Sequence, residues 1–197
     1  NEPKDAYLAR VCAVQAGVPV EAAAMTLNRL CGSGAQAIVS AAQMIALGEC
    51  DVAVGAGAES MSRAPYWMTG ARWGTKMGDT QMIDAMLTAL HDPFENIHMG
   101  ITAENVAKRY QITRQTQDEL AVTSHQRAAT AIAEGRFKEQ IVPIEIKTRK
   151  GVVVFDTDEH VRAEANVEDM GKLRPAFDKE GTVTAGNASG LNDGAAA

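Results

Sequence analysis

Aromatic side chains are scarce in this sequence: two Trp, three Tyr and four Phe among 197 residues. That argues against a ring-rich sandwich core, and nine Met and 17 Gly point instead to small-residue helices packed closely on a sheet. A basic excess is missing too. The formal net charge is −6, so there is no whole-surface footprint for nucleic acid, and an anionic ligand has to be met by a local cluster. Long apolar runs are absent: Val152-Val153-Val154-Phe155 falls far short of the roughly 20 residues a membrane-crossing helix needs. Neither nucleic acid nor membrane is therefore expected as a partner. The opening Asn1-Glu2-Pro3-Lys4-Asp5 has neither the apolar core nor the basic amphipathic face of a targeting peptide. Cys12, Cys31 and Cys50 form no close pair for zinc or dithiol chemistry, so no metal is expected and a reducing, cytoplasmic setting is. Repeats and low-complexity linkers are lacking as well. The length and a hydrophobic content of 46% suit one domain with a sizeable core or two small ones.

What is present reads as α/β. Ala6, Leu8, Ala9, Val11, Cys12 and Ala13 recur at helical spacing and Gly17 closes that helix. Met25–Asn28 reads as a short strand, 35–47 as a helix ending at Gly48, and Asp51–Gly57 as a buried strand. A strand, helix and strand with short connections favour a parallel pair. Residues 59–78 lose periodicity. Met82, Ile83, Met86, Leu87 and Leu90 restore helical spacing, and Val106, Ala107 and Tyr110 do so more weakly. Thr113 is a natural N-cap for a long helix stopped by Gly135. Residues 141–146 and 152–155 flank the basic tip Lys147-Thr148-Arg149-Lys150-Gly151 as a hairpin, with Pro143 implying an edge strand. Thr182–Ala185 is strand-like and leads into Gly186–Gly194, a run of small and turn-forming residues longer than a simple turn needs.

Cys31 stands out because it lies between a strand and the first turn of a helix, with Gly32 and Gly34 beside it. A helix N-terminus favours an anionic thiolate, the nucleophilic form. The glycines let a substrate carbonyl approach the backbone, and the Cys31 N–H is placed to donate to a developing oxyanion. Cys12 on a helix stripe and Cys50 after a helix end lack this setting and read as structural.

Asn28-Arg29-Leu30-Cys31-Gly32-Ser33-Gly34 resembles the nucleophile motif of the thiolases, and Gly55-Ala56-Gly57-Ala58-Glu59-Ser60-Met61-Ser62 resembles the strand and turn that follow it in that family. His98–Ala107, Lys172–Phe177 and Gly181–Gly194 are similar to further thiolase blocks in the same order. Several long blocks in register are far more specific than one short pattern. The resemblance implies a partial thiolase fold: 1–60 as part of the N-terminal layered α/β half-domain, 61–192 as an inserted α+β loop domain for CoA binding and tetramer contacts, and 193–197 as the return to the half-domain.

It also implies an acyltransferase acting through an acyl-Cys31 thioester, with coenzyme A as substrate and product and no permanently bound cofactor. The His98-Met99 pair is closest to the short-chain biosynthetic branch, acetyl-CoA acetyltransferase, in fatty acid metabolism. Leu90, His98, Met99, Ala185 and Ser189 fall on positions that line the pantetheine tunnel in that family, Phe177 lies beside it, and Arg162 matches a position near the nucleotide end. Core packing is the competing reading for Leu90 and Phe177, as is a satisfied turn residue for His98. Ser189 is the firmer assignment, since a small hydroxyl in a glycine-rich loop has little packing value. Asp169 departs from the family, where a small hydroxyl is common near the adenine pocket. Lys147, Arg149 and Lys150 suit either a phosphate-attracting patch or a solvated loop tip. A homotetramer, a dimer of dimers, is implied as well, with 61–84 near the joining loops and Trp67 and Trp73 either at that contact or packed within the loop domain.

Three family motifs are missing: the Gly-His-Pro histidine, the Asn-Glu-Ala-Phe asparagine and the Cys-x-Gly-Gly cysteine. With no initiator Met, the chain reads as an internal piece that binds weakly and catalyses little alone. Two alternatives stand beside the enzyme reading, a noncatalytic CoA-binding or assembly fragment and a β-ketoacyl synthase of the same superfamily.

Overall fold

A computed structural model describes residues 3–197. Within it the chain divides into two units, one formed by residues up to 90 with 191–197, the other by 91–190.

In the first unit, a 3-10 turn at Pro3–Tyr7 leads into α1 (Leu8–Gln15), which ends where Gly17 takes φ +86°, a conformation glycine adopts without steric cost. Arg10 on α1 donates to the Val20 carbonyl at 2.5 Å and the Ala22 carbonyl at 2.6 Å, tying down the turn that follows. The strand expected at Met25–Asn28 does not form; these residues carry no regular structure, and the bridge nearest to them joins Arg29 to Cys31. The expected helix is α2 (Ser33–Ala46), and Gly48 at φ +72° follows it as a stop.

Asp51–Gly57 differs from the sequence expectation. Residues 52–56 form no ladder, and Val52 and Val54 are 82% and 75% exposed. Only the end of the segment pairs: β1 (Gly57–Ser60) lies antiparallel to β6 (Asp193–Ala196), with Gly57 opposite Ala196 and Ser60 opposite Asp193. The parallel pair is therefore absent among the described residues. Alternation and β-branching make a segment competent to pair, but a ladder needs a neighbour's N–H and C=O groups.

Two short strands, β2 (Tyr66–Trp67) and β3 (Ile83–Asp84), pair antiparallel across the aperiodic 59–78 stretch. Asp84 then caps α3 (Ala85–Ala89), its carboxylate accepting the N–H groups of Met86 and Leu87. The helix expected from Met82 thus begins three residues later, where this cap sits.

In the second unit, α4 (Met99–Tyr110) is capped by the His98 imidazole, and Gln111 ends it in the left-handed conformation at φ +54°. Thr113 caps α5 (Arg114–Ala133) by accepting the Thr116 N–H, and Gly135 stops it at φ +67°. The hairpin is β4 (Ile144–Thr148) and β5 (Gly151–Phe155). It starts just after Pro143, which has no N–H to give a ladder, so Ile141–Pro143 lies outside the strand. After it, α6 (Val167–Gly171) packs on α5. Thr182–Ala185 forms no strand but a single bridge, Thr184 to Pro175, followed by a turn.

Buried apolar residues are Ala85 in the first unit and Ala107, Val122, Ala131, Met170 and Val183 in the second. Two polar residues are buried with them, Asp118 at 2% and Thr184 at 0% exposure. No helix among the described residues is long and apolar enough to cross a membrane.

Candidate active site

Cys31 is exposed, two residues before α2. Its turn is built by local hydrogen bonds that the sequence supplies. The Asn28 side chain accepts the Leu30 N–H at 2.8 Å, and Leu30 takes φ +51°. The Ser33 hydroxyl accepts the Arg29 N–H at 2.9 Å and donates to the Leu30 carbonyl at 2.6 Å. These contacts close a tight loop that lifts the thiol to the surface. Gly32 is the N-cap and offers no side chain to the first turn. Its own N–H and that of Ser33 turn back to the Arg29 and Leu30 carbonyls, which removes two of the amides expected to converge near the sulfur. The amides of Gly34 and Ala35 have no acceptor among the described hydrogen bonds, leaving the open end of the helix to them.

The small residues that follow hold α2 close to the chain. A β-carbon on Gly55 would stand 3.1 Å from three atoms of Ile38, and one on Gly57 would stand 3.3 Å from the Gly34 α-carbon. Cys12, on α1, is also exposed, and Cys50 is half-buried after α2.

The second unit gathers most of the residues expected to bind CoA. The His98 Nδ1 accepts the Gly100 N–H at 3.0 Å, which leaves Nε2 as the protonated, donating nitrogen of a neutral ring. That ring stacks on Phe177, centroids 4.7 Å apart, and meets His91 edge-on at 5.3 Å. Met99 opens α4 beside it and is exposed. Ala185 and Ser189 are both exposed, on the turn after Thr184. Arg162 is exposed in a different part of the unit, where its N–H donates to His125 Nδ1 at 3.2 Å. It lines an open groove of about 500 Å³ with Val161, Asn166, Asp169, Met170 and Leu173. Leu90 is half-buried at the end of the first unit, just after α3.

Asp169 in that groove is tied by Asn166 Nδ2 at 2.8 Å and Lys172 Nζ at 3.0 Å, and these two hold its carboxyl below the usual aspartate value. Lys147, Arg149 and Lys150 stand exposed at the hairpin turn. No group of three metal-ligating side chains occurs among the described residues.

The sequence reading missed a set of polar residues beneath the 182–189 turn. Glu104 on α4 accepts the N–H groups of Thr182 and Val183 and the Thr182 hydroxyl, all within 2.9 Å. Partial burial pushes its carboxyl up, but the bonds from Val183 and Thr182 outweigh that and the net shift is downward. Asp118 on α5 accepts Arg114 Nε at 2.7 Å and Asn187 Nδ2 at 2.8 Å. The spacing of Arg114 and Asp118, four apart on one helix, was the available signal.

A match to the model of the thiolase N-terminal domain spans residues 1–197. The chain belongs to the thiolase family. It is 67% identical over its whole length to the beta-ketothiolase BktB of Cupriavidus necator, covering 50% of that protein. It is 55% identical to an acetyl-CoA acetyltransferase of Rhizobium meliloti, over 96% of this chain and 48% of that one. Among solved structures, human mitochondrial 3-ketoacyl-CoA thiolase in complex with CoA superposes with a TM-score of 0.90 at 42% identity, over 98% of this chain and 48% of that one. The acetyl-CoA acetyltransferase of Bacillus anthracis gives 0.93 at 47% identity, over 99% of this chain and 50% of that chain. The fold is that of a partial thiolase. This chain spans about half the length of the curated relatives it matches.

Proposed function

We propose that this chain is the nucleophile-bearing part of a short-chain thiolase, an acetyl-CoA C-acetyltransferase of the cytoplasm that makes acetoacetyl-CoA or, in reverse, cleaves it. The observation that carries the proposal is the exposed Cys31 on its closed Asn28–Ser33 turn at the open end of α2, in a chain of the thiolase family. The Cys31 thiolate attacks the carbonyl carbon of acetyl-CoA, a tetrahedral oxyanion forms, and CoA leaves as its thiolate and takes up a proton. The second acetyl-CoA gives up an α-proton to a base. Its carbanion then attacks the acetyl-Cys31 thioester and expels the Cys31 thiolate, so that acetoacetyl-CoA is formed. Splitting the reaction at an acyl-enzyme lets one CoA leave before the second substrate binds.

CoA serves here as substrate and product. His98, Met99, Phe177, Ala185 and Ser189, with Leu90, are proposed to line its pantetheine chain, and Arg162 to stand near its nucleotide end. The stacking of His98 on Phe177 and the placement of Nε2–H as a donor support this reading, because pantetheine is a thin chain with two amides that needs apolar walls and a few polar partners. Residues 1–60 are proposed as half-domain, 61–192 as loop domain and 193–197 as the return.

The proton-handling groups of this reaction are not among the motifs of this chain, so the 197-residue polypeptide alone is expected to bind CoA weakly and turn over little. The uncovered Val52 and Val54 and the half-length coverage of relatives support a longer parent enzyme. A homotetramer joined through 61–84, in fatty acid metabolism, completes the proposal and is supported by the exposure of Trp67 and Trp73.

The test is peptide mapping after mild iodoacetamide treatment, together with a thiolysis assay on acetoacetyl-CoA in the complete enzyme. Alkylation of Cys31 before Cys12 and Cys50, protected by acetyl-CoA, is the expected result. Full thiolysis activity after complete Cys31 alkylation would overturn the assignment.

A further inference from the structure

The turn that carries Ala185 and Ser189 is built around side chains that come from elsewhere in the second unit. The Asn187 side chain is its hub. Its Oδ1 accepts the Thr184 N–H at 2.7 Å, while Nδ2 donates to the Thr182 carbonyl at 3.0 Å and to Asp118 Oδ1 at 2.8 Å. The fully buried Thr184 hydroxyl accepts the N–H groups of Gly186 and Asn187, and its carbonyl accepts that of Ala188. The turn thus closes on itself and is fastened to α5 through one buried carboxylate.

A second carboxylate fastens its entrance. Glu104 on α4 receives the Thr182 and Val183 N–H groups, and Gln117 on α5 donates to the Thr182 hydroxyl at 2.9 Å. Two glycines make room for this. A β-carbon on Gly181 would sit 2.3 Å from Glu104 Oε1, and one on Gly186 would sit 2.4 Å from the Met170 sulfur. A buried aspartate costs free energy unless it is bonded on both oxygens, and Asp118 is: Oδ2 takes Arg114 Nε while Oδ1 takes Asn187. Arg114 is itself fixed, donating to the Met170 carbonyl at 2.6 Å and the Leu173 carbonyl at 3.0 Å.

We propose that Asp118 and Glu104 are positioning residues for substrate binding: acting through Asn187 and the Thr182 and Val183 amides, they hold the 182–189 turn in the conformation that grips pantetheine. The proposal rests on the reading of Ala185 and Ser189 as pantetheine contacts. Neither carboxylate is proposed to touch CoA; the bonds both make go to protein groups. Each supplies acceptors that the turn cannot find within itself, because the Asn187 amide and the two N–H groups need partners in a place with little water.

The experiment measures calorimetric affinity of the complete enzyme for two probes, CoA and adenosine 3′,5′-bisphosphate, which lacks pantetheine. The variants are Asp118→Asn, Glu104→Gln and Asn187→Ala, with the double variant Asp118→Asn/Asn187→Ala. Replacing a carboxylate by an amide sets a donor against donors, so CoA affinity is expected to fall about tenfold or more in each single variant. Affinity for the bisphosphate is expected to stay within about threefold in Glu104→Gln and Asn187→Ala, which leave the Asp118–Arg114 pair and the groove beside Arg162 in place. The double variant is expected to lose no more than the worse single one, since both changes cut the same link.

Equal weakening of both probes in Glu104→Gln or Asn187→Ala would show general structural damage and overturn the proposal, as would CoA affinity unchanged in Asp118→Asn and Glu104→Gln. If Asp118→Asn does not fold, Asn187→Ser, which leaves Asp118 its bond to Arg114, carries the same two-probe comparison. An unmodified complete enzyme that binds neither probe would overturn the CoA reading itself, a result distinct from either of the others.

Discussion

The ring of Phe177 lies so close over Gly100 that a β-carbon there would stand 2.3 Å from two of the ring's atoms. The same ring stacks on His98, whose Nδ1 caps the helix through the Gly100 N–H. Gly100 is therefore required by close approach. Gly100→Ala is expected to push the ring off its seat and to cost about 1–3 kcal/mol of stability, the usual penalty of overpacking. In the complete enzyme, KM for acetoacetyl-CoA should rise more than kcat falls. Steady-state kinetics with a urea melt would check both, and an unchanged KM beside a lowered melt would separate Phe177 from the substrate.

Glu104 gives a pH dependence whose sign is fixed. Burial is the largest single influence and pushes its carboxyl up, but the bonds from Val183 and Thr182 together outweigh it and hold the group below the ordinary glutamate value. A group with a lowered folded-state pKa adds stability that is complete above its unfolded value and is lost as the pH falls through the folded one. Unfolding free energy should therefore drop between neutral pH and the acid side of the glutamate range. The drop should be shallower in Glu104→Gln, which starts lower and has no proton to bind. Urea unfolding at a series of pH values measures it, and parallel curves for the two proteins would contradict this account.

Cys31→Ser is expected to abolish the acetyl adduct seen by intact mass after mixing with acetyl-CoA, and to lower thiolysis by at least about a thousandfold, as loss of a covalent nucleophile does. Cys12→Ser and Cys50→Ser should leave the adduct in place. An adduct that survives in Cys31→Ser would move the nucleophile elsewhere.

How much of this was legible in the sequence depends on how local the physics is. The caps and stops were readable because one or two residues decide them: Thr113 before α5 and Gly135 after it fall where the sequence places them, and the hairpin forms as expected with a shorter turn, Arg149–Lys150, since Lys147, Thr148 and Gly151 pair in the ladder. The place of Cys31 just ahead of α2 was readable for the same reason, but the Asn28 and Ser33 bonds that close its turn, and the Gly32 and Ser33 amides that point back to Arg29 and Leu30, were not. Ladder partners were not. Asp51–Gly57 has a strand's composition, yet only its last residue pairs, and its neighbour arrives from 193–196. Nor could the four-residue spacing of Arg114 and Asp118 reveal that Asp118 is buried against Asn187 sixty-nine positions away. A motif marks residues by their neighbours in the chain; what Glu104 and Asp118 hold, the amides of 182–183 and Asn187, is visible only once the chain has folded.

Trp73 is 88% exposed on the stretch between β2 and β3, with Trp67 and Met77 also in the open. Large apolar side chains grouped on one short stretch mark a contact surface more often than a free one, and aromatic residues of this kind carry much of the energy of the contacts they enter. If 61–84 joins dimers into the proposed tetramer, Trp73→Asp should leave a dimer. A carboxylate placed at a buried contact would have to shed water without gaining a partner. Native mass spectrometry of the complete enzyme would show the change in assembly. Alkylation of Cys31 serves as the control, because the Asn28–Ser33 turn owes nothing to this stretch and its rate should not move. A tetramer that persists in Trp73→Asp at the same protein concentration would place the assembly surface elsewhere.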